Sequence, residues 1–238
     1  MRAVIGTFSF NTTSSIVFGA GSAARLGEIA VAQLGRRVLI VTDRGLVAAG
    51  LVAPAVSSLE QAGCAVSVFD KVVADPPESV VLEAVESGAG FGADAVIGLG
   101  GGSSLDVAKL VARLLRSGER LADIYGIGQE RGKRLPPLLS PTTAGTGSEV
   151  TPISIVTTGA HEKKGVVSPV LLPDIALLDP ELTYGLPAPV TAATGDRLET
   201  LTFVTFTPTA VDTSACVLPG CSRRHRSSVC RTAGNPLH

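Results

Sequence analysis

The stretch IGLGGGSSLDVAK, residues 97–109, decides how the rest of this chain is interpreted. Apolar residues typical of a buried strand lead into glycines at residues 100–102, where the backbone can turn without a Cβ in the way. Beyond them, apolar residues recur at helical spacing, and Ser103 with Asp106 has the S-x-x-D spacing of a capping box. The pattern therefore predicts a strand, a tight turn and a helix.

The N–H groups at such a helix N-terminus can bind an anion, because no side chain blocks the approach. The turn therefore favours a site for the phosphates of a nucleotide. The same residues are also compatible with a Gly-rich turn that binds nothing. They match neither the G-x-x-x-x-G-K-[ST] P-loop nor the G-x-G-x-x-G dinucleotide pattern.

The composition limits the classes of function. Lys and Arg number 20 against 21 for Asp and Glu, so no excess positive charge points to nucleic acid or an acidic membrane surface. Hydrophobic residues at 45% and charged residues at 17% are typical of a soluble globular protein. The sequence has neither a secretory signal pattern nor an apolar run long enough to span a bilayer. We therefore expect a cytoplasmic protein without a membrane partner.

Upstream of the glycine turn, apolar strands alternate with amphipathic helices, as in residues 38–42, 65–69 and 95–99. This alternation predicts an α/β fold with a doubly wound parallel sheet covered on both faces. Ligands of such sheets bind at the carboxyl ends of the strands. Asp43 follows the first of these strands, ahead of a predicted helix. Its carboxylate can accept hydrogen bonds from a ribose diol, or it can simply cap the helix.

A second informative segment, residues 135–158, carries hydroxyl groups among glycines. Its loop begins after a predicted strand and includes Thr142, Thr143, Thr146 and Ser148. Such a loop offers neutral hydrogen-bond donors to phosphate or ribose oxygens, although a polar surface loop is the alternative. Residues 161–164 are predicted to form a turn. Lys164 beside it can contact a phosphate or remain a solvated charge.

Together, GGGSSLDVAK at residues 100–109 and PTTAGTGSEVTP at residues 141–152 resemble the two signature segments of the iron-containing (group III) alcohol dehydrogenases. The resemblance extends from about residue 8 to residue 195. It implies an N-terminal nucleotide-binding α/β domain, residues 1–186, and a C-terminal all-helical domain that holds a divalent metal, usually Fe²⁺. The implied reaction is hydride transfer between NAD(P)H and an alcohol or aldehyde substrate.

The resemblance also implies which residues contact the cofactor. Asp43 would meet the adenosine ribose. The pyrophosphate would lie against Gly101, Gly102, Ser103 and Asp106. The ribose and nicotinamide side would be lined by Thr142, Thr143, Thr146 and Ser148, with Lys164 and Leu178 near the cofactor. Because the Asp43 carboxylate would repel a 2′-phosphate, NAD is favoured over NADP.

The resemblance stops after residue 195. There the family continues with D-A-L-x-x-H, whose Asp and His are metal ligands, whereas Asp196 of this chain comes one position early and no histidine follows at the required distance. Asp196 is thus the one candidate ligand, and we do not expect Fe²⁺ or Zn²⁺ to be retained. The composition changes here as well, which suggests a frameshift. Residues 187–238 would then be the start of the helical domain followed by an aberrant, disordered tail.

Alternatives remain open at this point. A zinc site from Cys216, Cys221, His225 and Cys230 has spacings loosely compatible with tetrahedral ligation. For the whole chain, an NAD-dependent alcohol dehydrogenase competes with a non-catalytic remnant that binds only the dinucleotide, and with an enzyme similar to maleylacetate reductase. Because the helical domain would be largely missing, the apolar face that packs on it predicts a homo-oligomer.

Overall fold

Strands and helices alternate along the chain, and the strands assemble into a parallel sheet that the helices cover. The computed structural model describes residues 11–128, 132–159 and 162–184. The strands are β1 (Ser15–Phe18), β2 (Arg37–Val41), β3 (Ala65–Phe69), β4 (Ala95–Gly100), β5 (Gly126–Ile127), β6 (Pro137–Pro141), β7 (Ile153–Thr157), β8 (Lys163–Val167) and β9 (Ile175–Leu178). The helices are α1 (Leu26–Gln33), α2 (Arg44–Ala48), α3 (Ala53–Gln61), α4 (Glu78–Phe91) and α5 (Gly102–Ser117).

Six of these strands form the main sheet, in the order β1-β9-β6-β4-β2-β3, and every pair in it is parallel. From β2 the chain runs outward to β3, then returns past β2 to β4 and continues to β6 and β9. The direction of winding therefore reverses between β2 and β4. In sheets of this kind the ligand crevice lies at that reversal, outside the carboxyl ends of the strands.

Both faces of the main sheet are buried. Side chains alternate along β2, so Leu39 and Val41 join the apolar cluster formed with α4 and α5. Val38 and Ile40 point the other way, into the cluster formed with α1 and α3. This arrangement confirms the prediction of a doubly wound parallel sheet covered on both sides.

A smaller sheet, in the order β5-β8-β7, lies beside the first half of α5. Strands β7 and β8 are antiparallel, and β5 pairs in parallel with β8. Lys163 and Lys164 belong to β8, so the turn predicted for residues 161–164 is wrong at these two positions. Residue 161 lies outside the described residues.

Two local predictions are wrong, one because Asp106 bonds a distant backbone N–H group and one because a helix ends early. The single helix expected after Asp43 is divided into α2 and α3. The capping box predicted from Ser103 and Asp106 does not form. The N-cap of α5 is Gly101, no side chain caps the helix, and Asp106 bonds elsewhere.

Candidate functional site

The glycine turn lies at the end of β4, next to the reversal of the sheet. Gly100 has φ +151°, and a Cβ there would lie 2.7 Å from Ser104 Oγ. Gly101 is extended, with φ −75° and ψ 178°, and α5 begins directly after it. With no side chain capping this end, the first N–H groups of a 16-residue helix remain available to an anion.

The threonine- and glycine-rich loop after β6 packs against this turn. The N–H of Thr142 donates to the carbonyl of Gly100 at 3.0 Å. A Cβ on Gly102 would lie 3.0 Å from Thr146 Cγ2 and 3.4 Å from Ser148 Oγ. These distances are shorter than ordinary Cβ contacts, and they show that the two signature segments lie against each other at one edge of the sheet.

The space over Gly101 is more open. A Cβ built there would be 3.6 Å from Thr143 Oγ1, which is an ordinary van der Waals contact. The Thr143 hydroxyl is itself buried and has no hydrogen-bond partner within the described parts of the chain. A buried hydroxyl without a hydrogen-bond partner lowers the stability of the protein, so a ligand oxygen that bonded to it would be stabilised there.

Asp43 follows β2, the strand beside β4, and is half-buried. Its carboxylate accepts a hydrogen bond from Leu46 N at 3.1 Å and so caps α2. A cavity of about 310 Å³ opens next to it, where β2 and β3 end. Its lining residues are Arg44, Gly45, Asp70, Lys71, Val72 and Val73. The Asp43 carboxylate therefore caps α2, and the residues that follow it, Arg44 and Gly45, line the cavity at the carboxyl edge of the sheet.

Asp106 is bonded to the small sheet and also interacts with the Ser148 side chain of the loop after β6. One carboxylate oxygen accepts from Ile155 N at 3.1 Å, and the other accepts from Lys109 Nζ at 3.3 Å. Burial raises the pKa of Asp106, and the Lys109 charge opposes that rise. Both oxygens are thus engaged within the protein.

Lys109 and Glu149 are functional candidates that the sequence analysis missed. Lys109 is fully buried and donates to the carbonyl of Ile153 at 2.7 Å. Burial lowers the pKa of its ammonium group, whereas the nearby carboxylates raise it. Glu149 is 4% exposed, and burial raises its pKa. The helical spacing around Lys109 does not reveal its role, because the small sheet that covers this side of α5 comes from later in the chain. Glu149 becomes buried only when its own turn packs against α5.

Lys164 and Leu178 lie on strands that do not adjoin β4. Lys164 is exposed on β8, and its Nζ is 5.4 Å from the centroid of the Tyr125 ring. Leu178 ends β9, which is separated from β4 by β6. Ser103, by contrast, lies in the first turn of α5 and is half-buried.

The donors needed for a metal are not brought together in the described ranges. Within residues 11–128, 132–159 and 162–184, no group of three or more His, Cys, Asp or Glu side chains could hold a metal ion. The resemblance places the metal ligands from residue 196 onward, so this finding concerns only the part of the chain before them. Asp196 and the four tail residues considered for zinc lie outside the described residues.

With the site in place, comparison with known proteins identifies the family. The profile for iron-containing alcohol dehydrogenases matches residues 13–180, which include both signature segments. This chain belongs to the iron-containing alcohol dehydrogenase family. The family resemblance stated from the two signature segments is thereby confirmed.

Individual members of the family resemble the chain over most of its length. It is 37% identical to the sulfoacetaldehyde reductase of Bilophila wadsworthia, with 79% of this chain and 49% of that protein covered. It is 43% identical to the 4-hydroxybutyrate dehydrogenase of Cupriavidus necator, with 67% and 42% covered. The chain thus spans about half the length of the curated relatives it matches.

A solved structure shows the same fold. The sulfoacetaldehyde reductase of Bifidobacterium kashiwanohense, crystallised in complex with NAD⁺, superimposes with a TM-score of 0.75 at 34% identity. The match covers 81% of this chain and 51% of that one. A separate finding concerns membranes: none of the helices in the described ranges has the length and apolar character needed to cross a bilayer.

Proposed function

We propose that this chain binds NAD(H) at the carboxyl edge of the main sheet. The observation that carries the proposal is that Gly101, Gly102 and the loop from Thr142 to Ser148 meet beside the reversal between β2 and β4. The uncapped N-terminus of α5 would hold the pyrophosphate, and the unpartnered Thr143 hydroxyl would meet a ligand oxygen. The NAD⁺ complex of the Bifidobacterium relative supports this choice of ligand.

Within this proposal the remaining predicted residues have different tasks. Asp43 would accept hydrogen bonds from the adenosine ribose and disfavour the 2′-phosphate of NADP. Ser103, Thr146 and Ser148 would offer hydroxyl donors along the cofactor. Asp106 would act from behind the turn, since its carboxylate oxygens are bonded to Ile155 and Lys109. Lys164 and Leu178 would approach the cofactor from the small sheet and from β9.

As the reaction of the whole family protein, we propose hydride transfer between the nicotinamide and an alcohol or aldehyde. Relatives named for the oxidation or reduction of such groups support this choice. The bound nicotinamide supplies the hydride acceptor or donor. The part of the protein described here contributes binding and orientation. Residues 1–186 would form the dinucleotide-binding domain, and residues 187–238 would be the remnant start of the helical domain followed by an aberrant, disordered tail.

A second candidate function is dinucleotide binding without turnover. It is favoured by the displaced Asp196, after which no histidine follows at the spacing that the family uses. An enzyme similar to maleylacetate reductase is the third candidate, because that branch depends less on the metal.

Substitution of Gly101 tests the binding site. Since a Cβ at residue 101 meets nothing closer than 3.6 Å, Gly101→Ala should fold normally, but its methyl group would occupy space needed by the phosphates. We expect about tenfold weaker NADH binding with an unchanged melting temperature. Titration of NADH fluorescence measures this change in affinity.

Gly90→Ala is the matched control, since a Cβ there meets nothing within 4 Å and the residue lies in α4, away from the turn. Wild-type protein that does not bind NADH contradicts the proposed function. Equal affinity of wild type and Gly101→Ala contradicts the placement of the phosphates.

Metal content and turnover separate the catalytic candidates. Purified protein would be assayed for bound iron and zinc, and for NADH oxidation with short-chain aldehydes. NADH binding without metal and without turnover supports the binding-only candidate. Stoichiometric metal with turnover rejects it.

A further inference from the structure

The first part of the outer edge of β7 is bonded to the beginning of α5, whereas Thr157 at its end donates to the carbonyl of Pro76. Strand β8 pairs with one side of β7, and the other side faces the helix. There the N–H of Ile155 donates to the Asp106 carboxylate at 3.1 Å, and Lys109 Nζ donates to the carbonyl of Ile153 at 2.7 Å. Ser154 Oγ adds a hydrogen bond to the backbone carbonyl of Asp106 at 2.9 Å. An acid and a base on one helix thus take the place of a neighbouring strand.

The charges in this contact are nearly or fully buried. Lys109 has no exposed surface, and its ammonium lies 3.3 Å from the Asp106 carboxylate. The groups that face it are Asp106 from α5, Glu149 from the short turn Ser148–Val150, and the backbone carbonyl of Ile153 from β7. The ammonium group is paired with Asp106 and attracts the Glu149 carboxylate without a hydrogen bond to it.

The position of Asp106 makes its neutralisation important for an anionic ligand. It lies in the second turn of α5, directly behind the uncapped N-terminus. An unpaired carboxylate at this depth would oppose the helix dipole and repel a diphosphate bound at the first turn. With Lys109 in place, the helix end retains its partial positive charge.

We propose that Lys109 is a positioning residue for the dinucleotide. It neutralises Asp106 and bonds α5 to β7, and in this way it keeps the N-terminus of α5 suited to a diphosphate without touching the ligand. This inference rests on the proposed NAD(H) binding.

The test compares Lys109→Met with wild type in the full 238-residue chain, by NADH titration. We expect about tenfold weaker binding near pH 8. The NADH affinity of Lys109→Met should recover as the pH is lowered toward about 6. In this variant Asp106 has no cation beside it, so it takes up a proton when the diphosphate binds, and this uptake is easier at lower pH. The double variant Lys109→Met/Asp106→Asn lacks the Asp106 charge and retains Glu149, whose neutral form burial already favours because it raises the pKa of that group. It should bind within about threefold of wild type and lose the part of the pH dependence that Asp106 causes.

Arg113→Met is the matched control. Arg113 is also fully buried on α5, but it donates to the carbonyl of Lys133, away from the turn. Its replacement should lower the melting temperature yet change NADH affinity by less than about twofold. A purely structural role for Lys109 would instead make the two single variants lose affinity equally, independent of pH.

Three results overturn the proposal for Lys109. The first is equal loss of affinity in Lys109→Met and Arg113→Met. The second is a double variant as weak as Lys109→Met. The third applies if Lys109→Met does not fold, and it uses Lys109→Gln, which keeps an N–H donor but no charge. Binding by Lys109→Gln that equals wild type would then overturn the proposal. So would a Lys109→Gln variant that does not fold and stays unfolded when Asp106→Asn is added. A wild-type chain that does not bind NADH instead rejects the proposed function, and this inference with it.

Discussion

At the scale of single residues, glycine 98 controls how closely α5 approaches the sheet. Gly98 lies in β4, and a Cβ there would come within 2.7 Å of Leu139 Cδ2 and 2.8 Å of Ala108 Cβ. No rotamer change can relieve the contact with Ala108. The helix that carries the uncapped turn is therefore held at a distance that only glycine permits.

We expect Gly98→Ala to lower the free energy of unfolding by about 1–3 kcal/mol through overpacking. Chemical denaturation followed by circular dichroism measures the change. Gly90→Ala again serves as the control, and it should stabilise the protein by about 0.5–1 kcal/mol because a helical glycine is replaced without a clash. Equal effects of the two substitutions would contradict the close packing at Gly98.

Glu149 predicts a dependence of stability on pH. Burial raises its pKa above the ordinary value of 4.5, so on raising the pH the unfolded chain ionises first and the folded state loses stability. Glu149→Gln removes this loss. Its gain in unfolding free energy over wild type should be smallest near pH 4 and should grow toward pH 8, by about 1.4 kcal/mol for each unit by which the pKa is raised.

Denaturation midpoints of wild type and Glu149→Gln across this pH range measure the effect. Glu86→Gln, on the exposed side of α4, is the control and should follow wild type at every pH. A difference between wild type and Glu149→Gln that does not vary with pH would show that ionisation of Glu149 is not the cause.

At the scale of elements, a single carboxylate joins the end of β9 to the turn before α1. Asp179, 4% exposed, accepts hydrogen bonds from Gly21 N at 3.0 Å and from Ala23 N at 2.9 Å. It also caps the short turn Pro180–Thr183 through Glu181 N. The start of the helical layer is thus capped by a residue more than 150 positions away, not by the neighbouring Ser22.

Asp179→Ala should therefore destabilise the protein by about 3 kcal/mol, since it leaves buried N–H groups without an acceptor. Asp179→Asn, which retains one acceptor oxygen, should cost about half as much. Thermal unfolding measures both. Asp123→Ala, which breaks an exposed ion pair with Arg120, is expected to leave the melting temperature unchanged. A similar shift for Asp123→Ala would contradict the special role of Asp179.

Elements whose limits are set by nearby residues could be predicted from the sequence, and elements that depend on distant residues could not. The strand limits of β3 and β9 follow directly from runs of apolar residues between turn-forming ones. The capping box at Ser103 failed because Asp106 finds Ile155 N, 49 residues later, in place of the helix N-terminus. The helix after Asp43 broke into two because residues 49–52 form a turn that the apolar spacing does not reveal.

At the scale of the whole molecule, one sheet separates two apolar clusters. Neighbouring residues of β2 serve different clusters: Leu39 packs toward α4 and α5, and Ile40 packs toward α1 and α3. Because β2, β4 and β6 contribute buried residues to both clusters, losing either cluster should weaken the sheet.

We expect Leu39→Ala and Ile40→Ala each to cost about 2–5 kcal/mol and to shift the same cooperative transition. Thermal melts followed by circular dichroism and by a hydrophobic dye should coincide for each variant. Arg25→Ala, which removes an exposed ion pair with Glu28, controls for surface effects. A second, separate transition in either core variant would show that the two clusters unfold independently.

The sequence by itself determined the class of fold, the family, and the two signature segments that meet beside β4. These properties follow from local patterns: apolar runs, helical spacing, and glycines and hydroxyls after strands. Only the tertiary structure decided that β4 lies between β2 and β6, and that Lys109 is a buried partner of Asp106 and not a solvated charge. The reason is distance along the chain. The carbonyl that Lys109 bonds lies 44 residues away, and only the folded sheet brings it to α5.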